Sequence, residues 1–421
     1  MTNRRLAADE QGQELPLTGK GLGDWQQLAT SGWSLFDGDI CLPVATLNWQ
    51  VLQCNLAWMA TFARQQQALL APHGKTAMTP ALFQAQQQAG AWGCTVATVP
   101  QLQVAVAAGM RRVVLANPLV GRAEQRQVAQ LLQQGLEFYC LVDDASQLPA
   151  LQQVMAEAGV TLQLLLELGV PGGRCGVRDA AAAGELARQI GQYAALKLCG
   201  VEFYEGVVKG GESAIRQFIR DGYATASDLQ QAGLIQANSA GQRLVSGAGS
   251  AYYDMVADEF QHSGLSQSGF ALVLRPGCYA LHDSGIYQQA QQQVLARSPQ
   301  ACLIPGALED ALLVWAYVLS RPEPDLVVVG LGKRDAAFDA GLPQPVLCYQ
   351  AGMPAPASFA AEPLKIMDQH LLLRVAATTT LAVGDMLAFR TSHPCLTLDK
   401  WRQLAVLDDD YRVRRVLATQ F

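Results

Sequence analysis

From about Val44 to Phe260, short β-type runs alternate with longer Ala/Gln/Leu-rich helical stretches, and this alternation constrains the fold more than any other feature. Strands are expected at Val44–Leu47, Ala68–Pro72, Cys94–Thr98, Arg112–Ala116, Glu137–Val142, Thr161–Leu168, Leu196–Phe203 and Arg243–Ser246. Between them, stretches such as Pro80–Ala89, Leu102–Ala108, Ala123–Gln134 and Ala181–Tyr193 carry apolar residues three and four apart. That is the period of an amphipathic helix. Eight such repeats, over a span near the usual ~250 residues, predict an α/β fold of the (β/α)8 TIM-barrel type. A doubly wound open sheet is the alternative.

After about Ser263 the texture changes. Phe270–Leu274, Gly277–His282, Asp325–Leu331, Pro345–Tyr349, His370–Val375 and Asp385–Phe389 read as strands between Gly/Pro turns, with one helical stretch at Leu308–Leu319. The expected division is an N-terminal extension over residues 1–43, a barrel over 44–262 and a β-rich C-terminal domain over 263–421. The extension, rich in turn-type Gly and Asp, is expected to pack on the other two parts.

Composition narrows the function. Half of the 421 residues are hydrophobic, which is enough to bury a core and excludes disorder as the main state. A net charge of −6 argues against nucleic acid as the partner. No apolar run reaches the ~18–20 residues of a membrane helix, and Met1–Gln13 lacks an apolar signal segment, so a cytoplasmic protein is expected. The ten cysteines are scattered without a CxxC pair and read as free thiols, mostly buried.

In a (β/α)8 barrel the C-terminal ends of the strands converge on one face, where active sites form. Those ends carry Pro72-His73-Gly74-Lys75-Thr76, Asn117, Asp143-Asp144, Gly172-Gly173-Arg174-Cys175-Gly176, Tyr204-Glu205-Gly206 and Ser246-Gly247-Ala248-Gly249-Ser250. The last is a small-residue turn leading into a helix, whose free N–H groups suit a phosphate. Tight βα turns also use glycine for purely conformational reasons. Lys75, one of only seven lysines, stands on the same mouth. A phosphate cradle facing a lysine suits pyridoxal phosphate, which a lysine holds as a Schiff base.

Pro72–Thr76, Gly90–Val99, Ala108–Gly121 and Arg174-Cys175-Gly176 together resemble the fold-type III pyridoxal-phosphate enzymes, and more closely the D-serine dehydratase and D-threonine aldolase family. Gly330–Asp335, Met367–His370 and Ser392-His393-Pro394-Cys395 extend the resemblance, and they look like its bacterial D-amino-acid deaminase branch. It implies an alanine-racemase-like barrel with a C-terminal β-domain, and a homodimer. It also implies Lys75 as the Schiff-base lysine and base for the α-proton, with Arg174 and Tyr204 beside the coenzyme. Ser246, Gly247, Ala248, Gly249, Ser250 and Tyr252 would hold the phosphate, and His73 would assist proton transfer or pack beside the ring. The N-terminal extension is longer than in simpler members.

His393 and Cys395 form a second constellation. On an extended strand, side chains two apart face the same way, and an imidazole with a thiolate suits Zn2+ better than Mg2+ or Ca2+. From spacing alone the pair is more readily explained by packing; the resemblance implies a divalent metal there. Such a site serves dehydration of a β-hydroxy D-amino acid to a 2-oxo acid and ammonia. It serves equally aldol cleavage to glycine and an aldehyde. The cysteine beside the histidine favours the dehydratase, because the aldolases tend to carry a carboxylate there. A racemase and a non-catalytic coenzyme carrier are the remaining alternatives.

Overall fold

The computed structural model describes residues 20–21 and 32–421. One sheet is an eight-stranded parallel barrel built from β2 (Leu69–Leu70), β3 (Cys94–Val96), β4 (Arg112–Pro118), β5 (Glu137–Val142), β6 (Leu162–Leu168), β7 (Leu196–Phe203), β8 (Arg243–Gly247) and β9 (Phe270–Leu274). Its order is β2-β9-β8-β7-β6-β5-β4-β3, and a parallel bridge between His73 and Thr95 brings the two ends together. Helices α1 (Trp49–Gln65), α2 (Pro80–Gln88), α3 (Val99–Ala107), α4 (Arg122–Gln133), α5 (Leu148–Ala158), α6 (Ala180–Ile190), α7 (Gly211–Gln231) and α8 (Tyr253–His262) accompany the strands. The fold class expected from the alternation is therefore the one observed.

The second sheet contains β1 (Val44–Asn48), β10 (Leu312–Glu323), β11 (Leu326–Val329), β12 (Gln344–Tyr349), β13 (Ala357–Ser358), β14 (Glu362–Ile366), β15 (Leu371–Arg374), β16 (Met386–Arg390), β17 (Gln403–Leu407) and β18 (Val413–Ala418). Its main path runs β13-β12-β16-β10-β1-β17-β18, with β11, β15 and β14 branching from β10.

Four sequence expectations are corrected here. Val44–Leu47 is not a barrel strand: it pairs antiparallel with β10, Val44 opposite Trp315, and parallel with β17. An apolar run followed by an amphipathic helix looks the same whichever sheet the strand joins. Phe270–Leu274 in turn is the barrel's eighth strand, parallel to β2 and β8. Leu308–Leu319, expected as a helix, mostly lies in β10, because a continuous apolar run has no period to separate a buried helix from a strand covered on both sides. Gly277–His282, expected as a strand, is a single 3-10 turn at Cys278–Ala280.

Of the N-terminal extension, residues 1–19 and 22–31 lie outside the described residues. From Gly32 onward the chain runs along the second sheet: Gly32 N–H donates to the Val413 carbonyl at 2.7 Å, and Phe36 stacks on Tyr349 at 3.8 Å between ring centroids. All ten cysteines are free, five of them buried. No described helix is long and apolar enough to cross a membrane.

Alternation along the barrel strands sets what its interior contains. Ala71, Val114, Tyr139, Leu141, Leu165, Cys199, Leu244 and Val273 form one buried cluster inside the sheet, while their neighbours Phe138, Cys140, Leu164 and Leu166 pack with the helices. Side chains two apart share a face of a strand. Two residues beyond Ala71, Leu141, Leu165 and Val273 stand His73, Asp143, Glu167 and Arg275. An apolar floor thus gives way to a polar layer at the mouth.

Candidate active site

A cavity of about 620 Å³ opens at that mouth, lined from the barrel by His73, Lys75, Arg174, Tyr204, Ala248–Ser250, Arg275 and Cys278, and from the C-terminal part by His393 and Cys395. Its size is that of a small-molecule site. Lys75 sits in the 3-10 turn (Gly74–Thr76) that follows β2 after three intervening residues, exposed into the cavity, and its amine makes no hydrogen bond or ion pair among the described residues. A side chain at Gly74 would run into the Phe83 ring, its Cβ 2.2 Å away, so glycine lets this turn seat against α2.

His73 is half-buried, and its Nδ1 is shut off from solvent without a hydrogen-bond partner among the described residues. Burial pushes its pKa well below the ordinary histidine value, and the charges of Lys75, Arg275 and Arg174 act in the same direction. His73 is therefore neutral near pH 7. The Arg174 guanidinium lies over the Tyr204 ring at 4.6 Å.

The turn after β8 divides the residues expected at a phosphate. Ala248, Gly249 and Ser250 line the cavity, whereas Ser246, Gly247 and Tyr252 do not. Ser246 is buried in the barrel wall, its hydroxyl donating to the Val273 carbonyl at 3.3 Å. A Cβ at Gly247 would stand 2.7 Å from the Phe203 ring, and Tyr252 lies beneath Arg297. The N–H groups of Ala248 and Gly249 donate to the buried Glu205 carboxylate at 3.0 and 2.9 Å. Those two amides are therefore already satisfied. The Ser250 side remains, together with the start of α8, which no side chain caps.

Beneath these groups, Arg275 Nη2 forms a buried ion pair with Glu202 Oε1, while Arg275 Nε and Glu202 Oε2 have no hydrogen-bond partner among the described residues. Glu167 is pushed up to about 8, by burial first and then by the nearby Glu202 and Asp143 carboxylates. Asp143, Glu167 and Cys175 bring one donor atom each within 4.8 Å of one another, beside Arg174. Sequence reasoning missed Arg275 and Cys278 because both follow β9, a strand placed in the wrong sheet.

His393 and Cys395 are neighbours, but not on a strand. His393 is the N-cap of a short helix, Pro394–Leu398, and Cys395 lies in its first turn. His393 Nδ1 is 2.8 Å from Asp339 Oδ2, which fixes the ring and leaves Nε2 for another partner. Hydrogen bonds from Cys278, His393 and Thr76 pull the Cys395 thiol down to about 5. The thiolate, with the Asp339 carboxylate behind it, raises His393 to about 9. A thiolate beside an imidazole is a donor set for a borderline-soft divalent ion.

Residues 47–270 match the alanine racemase N-terminal domain family, and residues 311–407 match a serine dehydratase domain. The chain is 28% identical to a D-threonine aldolase from Arthrobacter sp. over 378 residues, covering 87% of this chain and 89% of that one. The crystal structure of D-threonine aldolase from Filomicrobium marinum superposes with a TM-score of 0.76 at 24% identity, covering 93% of this chain and 98% of that one. D-threo-3-hydroxyaspartate dehydratase from Delftia sp. HT23 gives 0.70 at 20% identity, covering 90% and 97%. That dehydratase has also been solved as a histidine-to-alanine variant and as a cysteine-to-alanine variant two positions further on, the latter in a metal-free form. With a matched alanine-racemase domain over more than half its length and a dehydratase domain behind it, this chain belongs to the fold-type III pyridoxal-phosphate enzyme family.

Proposed function

We propose that this protein is a lyase that removes the hydroxyl group of a β-hydroxy D-amino acid, such as D-serine or D-threonine, giving a 2-oxo acid and ammonia. The observation that carries the reading is the opening of the His393–Cys395 pair into the same cavity as the Lys75 amine. The residues fit both expected groups. Lys75 is free to hold pyridoxal phosphate, Gly249 lets the turn approach the Tyr204 ring (a Cβ would stand 2.8 Å from it), and His393 and Cys395 suit Zn2+. When bound, the coenzyme supplies an electron sink for charge at Cα and the cation a Lewis acid toward a hydroxyl oxygen.

The chain's own residues do the rest. The Lys75 amine, when released, accepts the α-proton. Arg174, its guanidinium over the Tyr204 ring, would offer positive charge and a flat face to a coenzyme held in the cavity. Burial and the cations around His73 disfavour its imidazolium form, so it is not the acid that protonates a leaving oxygen, and that demand falls to the other side of the cavity, where His393 and Cys395 stand. The cysteine-to-alanine and histidine-to-alanine variants of the Delftia dehydratase, at the same two-residue spacing, support the pair as a functional unit.

A specific observation favours a second reading, aldol cleavage: the D-threonine aldolase of Arthrobacter sp. matches over 87% of this chain. D-Threonine, with pyridoxal phosphate and Zn2+ supplied, separates the two. 2-Oxobutyrate with ammonia is expected; glycine with acetaldehyde would replace the dehydratase by the aldolase. In either reaction, His393→Ala is expected to lower turnover by at least about 100-fold while the bound coenzyme keeps its absorbance. Full activity in that variant would remove the metal from the mechanism.

A further inference from the structure

We infer that Cys278 is a third protein ligand to the divalent ion, making the centre a two-cysteine, one-histidine site with one position left open for substrate. The inference rests on the reading that an ion binds at His393 and Cys395. Cys278 lies in the 3-10 turn after β9 and is 4% exposed. Its Sγ is 3.4 Å from the Cys395 Sγ. Two thiolates on one tetrahedral zinc, each about 2.3 Å from the metal, stand roughly 3.7 Å apart. The observed spacing is close to that and far beyond the ~2.05 Å of a disulfide. The two sulfurs also arrive from different parts of the fold, Cys278 from the barrel mouth and Cys395 from the C-terminal part.

The turn that carries Cys278 is held in place. Its N–H and that of Gly277 both donate to the Ser250 hydroxyl oxygen at 3.1 Å. A Cβ on Gly277 would stand 2.7 Å from Thr76 Oγ1, so glycine lets the turn close onto the segment that carries Lys75. The Thr76 hydroxyl lies 3.9 Å from Cys278 Sγ and 3.4 Å from Cys395 Sγ, so the thiols border the Lys75 turn rather than an apolar core. Three protein ligands and one open position is the usual form of a catalytic zinc site. Ligation releases each thiol proton to solvent and balances the 2+ charge with two thiolates. Two soft donors also select Zn2+ and Co2+ over Mg2+, Ca2+ and Mn2+.

Cobalt reads the number of thiolates directly. The coenzyme-loaded protein, stripped of metal and reloaded with Co2+, is compared with the Zn2+-loaded protein so that coenzyme absorbance cancels. The thiolate-to-cobalt charge-transfer band is expected to fall by about half in Cys278→Ser, in Cys278→Ala and in Cys395→Ser. Zinc affinity, read by competition with a chromophoric chelator, is expected to fall at least about tenfold in both Cys278 variants. The alanine variant removes the option of hydroxyl ligation, and circular dichroism of each variant checks that it is folded. A band unchanged in both Cys278 variants but abolished in Cys395→Ser would overturn the third ligand and leave the metal site standing. No charge-transfer band in the unsubstituted protein would overturn both.

Discussion

Replacing Lys75 by alanine is expected to abolish turnover, by at least a factor of about 10³, and to remove the covalent hold on the coenzyme. Two functions are lost together: the amine that forms the Schiff base and the base that accepts the α-proton. General-base contributions alone are on the order of 10²–10⁴. The fold should tolerate the change, because Lys75 is exposed into the cavity and has no polar partner among the described residues. The check is twofold. Borohydride treatment should fix the coenzyme to the unsubstituted protein and not to Lys75→Ala, and initial rates on D-serine and D-threonine should fall to background. A variant that keeps both the trapped coenzyme and its rate would remove Lys75 from the centre of the site.

Lys75 was legible because two regularities coincide at it. A β-type run ends at Pro72, and in a barrel the strand ends face one mouth. The same logic reached Tyr204 after β7 and Ala248–Ser250 after β8. It failed where strand membership was misjudged. Phe270–Leu274 carries the same alternating apolar texture whether it closes the barrel or starts a second sheet. With that strand misplaced, Arg275 and Cys278 lost the argument that marks a strand-end residue as functional. His393 and Cys395 were reached with the wrong geometry: a shared face on a strand was expected, whereas a helix N-cap and its first turn bring them together. Glu205, bonded to the turn amides expected at a phosphate, is an interaction between two loops that strand periodicity does not encode.

The largest stability effect is expected from the ion pair under the cavity. Arg275 and Glu202 have side chains only 6% and 2% exposed, so neither charge has water to fall back on. Glu202→Ala leaves the guanidinium buried without its counter-charge, which typically costs about 3–5 kcal/mol. Against the 5–15 kcal/mol of a folded domain, that is a large fraction. Urea unfolding should show it as a lower midpoint, with the loss falling to about 1–3 kcal/mol in Glu202→Gln, which keeps a hydrogen-bond acceptor. The decisive comparison is the double variant Glu202→Met with Arg275→Met. Removing both charges removes the need for either, so it should recover much of the stability lost in Glu202→Ala. Its catalytic behaviour should part company with its stability: Arg275 lines the cavity, and a methionine there presents no charge to a bound ligand. A double variant no more stable than Glu202→Ala would mean that packing around this pair, rather than its charge balance, holds the barrel mouth together.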